Sequence, residues 1–270
     1  MIAGVPGGDG GTKTPVTPAP APRPLALGVD SIPYGCDISF FVPALNEEEL
    51  IVPSLETLLA ALARFRYRYE IIVVDDGSTD ATAARVEQFI ARHPGEPIRL
   101  ISNPVNRGLG RNYVDASFVA TGRYYKLICG DNAEPQASIE TLLQHLGEAD
   151  IIMPYMDPDP RHWKRRYLSV LFTKIVNLVG GNRLRYYNGT GIHLRYNVMR
   201  WHSDTYGFAY NAEIITRLLN EGATYIEVPI KTVEAAGRVS RAFSFLNILS
   251  VPHSLLQIAL RRLRRILFKI

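Results

Sequence analysis

The chain has 270 residues, of which 47% are hydrophobic and 21% charged. This is the balance of an ordinary globular protein long enough to bury a core as one large domain or two small ones. Composition excludes a disulfide scaffold, a collagen-like repeat and full disorder. The two cysteines, Cys36 and Cys129, stand in no metal-ligand spacing, so a reducing compartment is expected. No apolar run reaches the roughly 20 residues of a spanning helix, and the N-terminus carries no secretory signal pattern. A cytoplasmic chain, at most peripheral on a membrane, is the expectation. The net charge of +4 is uneven. Residues 235–270 hold seven basic residues and no acid, whereas residues 1–234 carry a net charge of −3. The basic excess lies in a tail rich in leucine and isoleucine with no recognition motif, which argues against nucleic-acid binding.

Residues 1–35 contain seven prolines and seven glycines, too little apolar surface to offset the entropy of ordering, and read as a disordered arm. From Asp37 strand and helix patterns alternate. Ile38–Pro43 is an apolar run. Asn46 is expected to cap a helix reaching Arg66 through Leu50, Leu55, Leu58, Leu59 and Leu62. Ile71–Val74 is a β-branched run of the kind covered on both faces in a parallel sheet. A helix is predicted over 79–92, a strand over 98–101, a helix over 108–120, a strand over 124–128, a helix over 139–146 and a strand over 151–153. Such alternation implies an α/β sheet whose ligand sits beyond the carboxyl ends of the strands. After Pro160 the pattern predicts helices over 161–179 and 207–222, a strand over 225–228 and an apolar, then Arg-rich stretch over 243–270.

Polar residues cluster where the early strands end: Pro43-Ala44-Leu45-Asn46-Glu47, Asp75-Asp76-Gly77-Ser78, Asn106-Arg107-Gly108 and Cys129-Gly130-Asp131. One Asp-Gly-Ser alone reads as a turn with a helix cap. Four such clusters in register read as a crevice that holds a ribose, a base edge or a metal.

These motifs resemble the family-two glycosyltransferases of the GT-A fold, and within them the dolichol-phosphate mannose synthase and polyprenyl-phosphate glycosyltransferase branch. The resemblance runs over about 38–243, through Val42–Glu48, Val73–Asp80, Asn106–Gly110, Gly130–Pro135, the loop Asn188–Gly191, Phe208–Glu213 and Glu227–Pro229. It implies a mostly parallel α/β sheet flanked by helices as a domain over 36–235, followed by a basic amphipathic segment over 236–270. Pro43, Leu45 and Glu47 would border a nucleotide, with Ser78, Asn106 and Gly108 on the same rim, and Asp75 or Asp76 would hold base or ribose. Asp131 would face the sugar diphosphate through Mg²⁺ or Mn²⁺, which neutralises the leaving group.

The chain departs from the family pattern at Cys129, which replaces a first aspartate, and at Ala133, which replaces a glutamine. A thiol suits hard cations poorly, so Glu134 is expected to compensate as a ligand, and the alternative is a site with weakened metal binding or none. A hydroxyl acceptor needs a general base, for which Glu213 is the candidate, with a surface helix-start glutamate as the plain alternative. A lipid phosphate arrives ionised and needs cations instead. Arg161, Lys164, Arg165, Arg166, Arg238 and Arg241 are available, and Met156 stands where the family often has arginine. Of the six histidines, His162, His193, His202 and His253 show no metal spacing.

The tail, with Arg261, Arg262, Arg264, Arg265 and Lys269 among leucines and isoleucines, suits an anionic membrane surface, a membrane partner protein or docking on the body. The function implied is inverting transfer of a hexose from a nucleotide-diphosphate sugar to a polyprenyl phosphate at the cytosolic membrane face. Transfer to a hydroxyl acceptor and non-catalytic nucleotide-sugar binding are the alternatives.

Overall fold

A computed structural model describes residues 33–200, 210–232 and 245–268. Residues 1–32 of the predicted N-terminal arm, Trp201, His202, Arg238, Arg241 and Lys269 therefore lie outside the described residues. The elements in chain order are β1 (Cys36–Ala44), α1 (Ile51–Leu62), β2 (Tyr69–Asp75), α2 (Thr82–Arg92), β3 (Ile98–Ser102), α3 (Leu109–Val119), β4 (Gly122–Leu127) and α4 (Gln136–Gln144). There follow β5 (Ile151–Met156), α5 (Trp163–Gly180), β6 (Ile192–Leu194), α6 (Arg195–Arg200), α7 (Tyr210–Asn220), β7 (Tyr225–Ile230) and α8 (Phe245–Phe268).

The seven strands form one sheet in the order β3-β2-β1-β4-β6-β5-β7. Only β6 runs antiparallel to its neighbours β4 and β5. The apolar strands alternate their side chains between two cores. Ile38, Phe40, Val42, Ile71 and Val73 face α1, α2 and α4, whereas Phe41, Ile72 and Val74 face the side of α3, α6 and α7. This period-2 division is why β1 and β2 read as unbroken hydrophobic runs: both faces are covered. The mixed, mostly parallel sheet is the architecture that the resemblance implied.

Two local expectations are corrected. Asn46 does not cap α1, which starts at Ile51 behind Leu50 with no side-chain cap. Asn46 adopts φ +54° and its Oδ1 accepts from Thr79 N at 2.8 Å, so it ties the first strand-end loop to the second. The predicted strand over 151–153 extends to Met156 because it pairs with β7 along its whole length. The short β6 and α6 were not foreseen, since three residues give no readable period.

The long helices at the end pack on one another. α8 lies against α5 and α7 and buries Ser254 and Ile258, each 1% exposed. Arg262 donates to the carbonyls of Leu178 and Val179, the unpaired C-terminal acceptors of α5, where a cation also meets the negative helix end. Gly181 closes α5 at φ +75°, a left-handed conformation that glycine adopts without strain. Among the described residues no helix is long and apolar enough to cross a membrane.

Candidate active site

The carboxyl ends of β1, β2 and β4 and the loop from β3 to α3 meet at one edge of the sheet. The first two loops are laced together. Asn46 N donates to Ser78 Oγ at 2.9 Å, Glu47 N to Thr82 Oγ1 at 2.8 Å and Glu48 N to Asp80 Oδ2 at 3.2 Å, while Ala81 N donates to Glu48 Oε2 at 2.9 Å. Burial would raise the Asp80 carboxyl, but the Thr82 hydroxyl and the backbone amides hold it below its ordinary value. Ser78, expected to border a nucleotide, thus ties the first strand-end loop to the second. Pro43 O accepts from Gly130 N at 3.3 Å, and Cys129 O accepts from Ser54 Oγ at 2.8 Å, which binds the end of β4 to β1 and α1. A Cβ on Gly130 would lie 2.7 Å from Pro43 O, so only glycine permits this approach.

Asp75 and Asp76 have different tasks. Asp76, 6% exposed, accepts from Asn103 Nδ2 at 2.9 Å, Arg107 N at 2.8 Å and Gly108 N at 2.9 Å. Burial alone would raise its carboxyl. Hydrogen bonds, led by that from Arg107 N, hold it below the ordinary aspartate value instead. Asp76 therefore shapes the 103–108 loop. The Asp75 Oδ1 accepts from Ser78 N at 3.1 Å. Gly77 at φ +78° lets this turn lie on the same loop, since a Cβ would sit 2.9 Å from Asn106 N. Asn106 Oδ1 accepts from Gly108 N at 3.0 Å, which sets the entry to α3.

Beside this edge opens a cleft lined by Cys129, Ala133 and Glu134, by Pro154, Tyr155, Met156 and Tyr186, and by Asn188, Gly189 and Thr190. The 188–191 loop is pressed onto β5. A Cβ on Gly189 would be 2.6 Å from Pro154 O, and one on Gly191 2.7 Å from Ile152 O. Asn211, at the start of α7, secures the loop by donating to Tyr187 O at 2.8 Å and Gly189 O at 3.0 Å. Arg161 reaches the cleft lining through Tyr186 Oη at 3.2 Å, and is itself ion-paired with Asp159 at 2.7 Å.

Two carboxylates with expected roles are held in ion pairs. Glu134, the supposed replacement metal ligand, has both carboxylate oxygens on Lys126 Nζ, at 2.8 and 3.2 Å, in a buried pair. Glu213, the candidate base, is 4% exposed and pairs with Arg261 of α8 at 3.3 Å, so it joins α7 to α8 and is not among the residues lining the cleft. Lys126 escaped the sequence reading altogether. Its signal was a lone lysine inside the apolar run Tyr124–Ile128, a position where a charge persists only if it is paired.

The residues present fit a divalent cation in one mode. Among the described residues no cluster of three or more His, Cys, Asp or Glu side chains could hold a metal. Burial, and then the Asp131 and Glu134 carboxylates, push the Cys129 thiol far up, so it stays neutral and is no ligand for a hard cation. What remains is Asp131, whose Oδ1 accepts from Ala133 N at 3.2 Å. One carboxylate with diphosphate oxygens and water is an ordinary way to hold Mg²⁺.

Comparison with known proteins identifies the family. The family model for "Glycosyl transferase family 2" matches residues 39–206. Among curated proteins, the dodecaprenyl-phosphate galacturonate synthase of Rhizobium johnstonii is 30% identical over 115 residues, 43% of this chain and 34% of that protein. A dolichyl-phosphate beta-glucosyltransferase of Dictyostelium discoideum is 33% identical over 101 residues, 36% of this chain and 31% of that protein. The matched stretch thus spans about a third of the length of these relatives. The crystal structure of glucosyl-3-phosphoglycerate synthase from Mycobacterium tuberculosis with Mg²⁺ and uridine diphosphate superposes with a TM-score of 0.63 at 21% identity, covering 83% of this chain and 80% of that one. With its GT-A sheet, its four strand-end motifs in one place and a family model covering more than half of its length, the chain belongs to glycosyl transferase family 2.

Proposed function

We propose that the protein is an inverting glycosyltransferase that moves a hexose from a nucleotide-diphosphate sugar to a polyprenyl phosphate at the cytosolic face of a membrane. The observation that carries this reading is the meeting of the laced strand-end loops with the cleft bounded by the 188–191 loop. The nucleotide lies along Pro43, Leu45, Glu47, Asp75 and Ser78, and the sugar points toward Asp131 and the cleft. Asp131 would hold a divalent cation, which would neutralise the diphosphate charge. The acceptor phosphate oxygen attacks the anomeric carbon while the bond to the diphosphate oxygen breaks, and the electron pair leaves with the nucleotide.

A phosphate acceptor is favoured over a hydroxyl because it is already ionised and needs no base. The carboxylate nominated for that task is engaged with Arg261. The curated relatives, named for dodecaprenyl and dolichyl phosphate, support the same acceptor class. Membrane placement is supported by α5 and α8. Trp163, Tyr167, Leu178, Leu263, Ile266 and Phe268 are all at least half exposed, and the two helices carry eight Lys and Arg side chains between residues 163 and 265 with no acid, as suits an anionic leaflet.

The test is incubation of the purified protein with UDP- and GDP-linked hexoses, a short-chain prenyl phosphate and Mg²⁺ or Mn²⁺. A prenyl-phosphate sugar product is expected. Product only with hydroxyl acceptors would move the acceptor class. Nucleotide binding without turnover would instead favour a non-catalytic binder, the reading that Cys129 supports.

A further inference from the structure

The amine of Lys126 lies fully buried beside the cleft and joins two segments that line it. It donates to Glu134 Oε1 at 2.8 Å and Oε2 at 3.2 Å on the segment after β4, and to the Thr190 carbonyl at 2.8 Å on the 188–191 loop. Thr190 Oγ1 closes the circuit by donating to Glu134 Oε2 at 3.2 Å. Lys126 is 0% exposed and Glu134 7%, yet Glu134 and Thr190 both line the cleft. The pair is thus the internal brace of a site wall. A buried ion pair of this kind is commonly replaceable by apolar residues with little loss of stability, so stability does not account for it; what it supplies is a defined geometry. The loop it holds carries glycines set against β5 carbonyls and an asparagine clamp from α7. Lys126 is the link that ties that loop to the Asp131–Glu134 side.

We propose that Lys126 is a positioning residue: through Glu134 and Thr190 it sets the separation between the sugar-donor side and the acceptor side of the cleft. The naming of the two sides rests on the glycosyltransferase reading. A lysine with all three protons engaged does not touch substrate, so its effect falls on the rate of transfer and on acceptor use, not on nucleotide affinity. Misplacement of a reacting group by about 1 Å costs on the order of a hundredfold in rate.

The test compares wild type with Lys126→Met/Glu134→Leu, which removes both charges together and leaves none buried alone. Melting temperature, UDP and GDP affinity, kcat and KM for a short-chain prenyl phosphate, and amide exchange of residues 188–191 are measured. We expect a folded protein with unchanged nucleotide affinity, kcat lowered on the order of a hundredfold, a raised acceptor KM, and faster exchange confined to the loop. If the double variant does not fold, Glu134→Gln, which keeps the shape and one acceptor, carries the same comparison with a smaller loss expected. A folded variant with wild-type kcat and KM overturns the role of Lys126 alone. A wild type that transfers nothing to any acceptor overturns it together with the functional reading.

Discussion

His193 is 1% exposed on β6, and its Nδ1 has no hydrogen-bond partner among the described residues. Burial, and then the Lys126 charge, pull its pKa down to about 4. The folded protein therefore keeps this imidazole neutral where the unfolded chain protonates it near 6.5. The unfolded state binds the extra proton between those values, so stability is whole above about pH 6.5 and falls as pH drops toward 4. The loss amounts to about 3 kcal/mol. Denaturant titrations at several pH values should show this slope, and His193→Leu should flatten it. Asp76 behaves in the opposite chemical sense with the same direction in pH. Its lowered carboxyl pKa contributes stability that is lost as the medium becomes strongly acidic. Asp76→Ala would strand three donors that now point at one carboxylate, at a cost of about 3 kcal/mol. It should also abolish the nucleotide-induced rise in melting temperature, because the 103–108 loop loses its anchor. A variant that melts and binds like wild type would remove Asp76 from the account of the site.

At the level of elements, the cleft depends on a loop pressed against a strand. Gly189→Ala would set a methyl 2.6 Å from the Pro154 carbonyl, and backbone is on both sides of that contact. A loss of about 1–3 kcal/mol is expected from such overpacking, read as a lower melting temperature, with prenyl-phosphate transfer falling further than nucleotide binding. α8 presents a second case. Glu213 and Arg261 join it to α7 at 3.3 Å, so Glu213→Gln should leave transfer to a phosphate acceptor largely intact while loosening α8 toward proteolysis. Abolished transfer in a folded Glu213→Gln protein would restore the residue as a base and favour a hydroxyl acceptor.

For the whole molecule, the two long helices set how it meets its surroundings. α5 and α8 touch, and their described cations have no acid within either helix to offset them. Co-sedimentation with anionic vesicles and not with neutral ones is expected, weakening as salt rises. Arg264→Ala/Arg265→Ala, both exposed, should cost about 2 kcal/mol of binding at about 1 kcal/mol per cation, roughly thirtyfold. Equal binding to neutral and anionic vesicles would show that the charges have no part in it.

The sheet was legible in the chain because buried parallel strands need apolar side chains on both faces. Ile38–Val42 and Ile71–Val74 could read as little else. The strand-end clusters were legible too, since their residue types suit turns and ligands and recur after successive strands. Local sequence could not show the division of labour within them. Asp75 and Asp76 are neighbours of identical chemistry, and only the position of the 103–108 loop directs three donors to one of them. Glu134 looked like a ligand and Glu213 like a base, because a carboxylate's role depends on which cation it meets. Lys126 lies eight residues before Glu134, on a different element, and Arg261 lies 48 residues beyond Glu213. The order of elements follows from periodicity along the chain. The pairing of buried charges arises only when folding brings distant segments into one low-dielectric place, where each charge must find its counterpart.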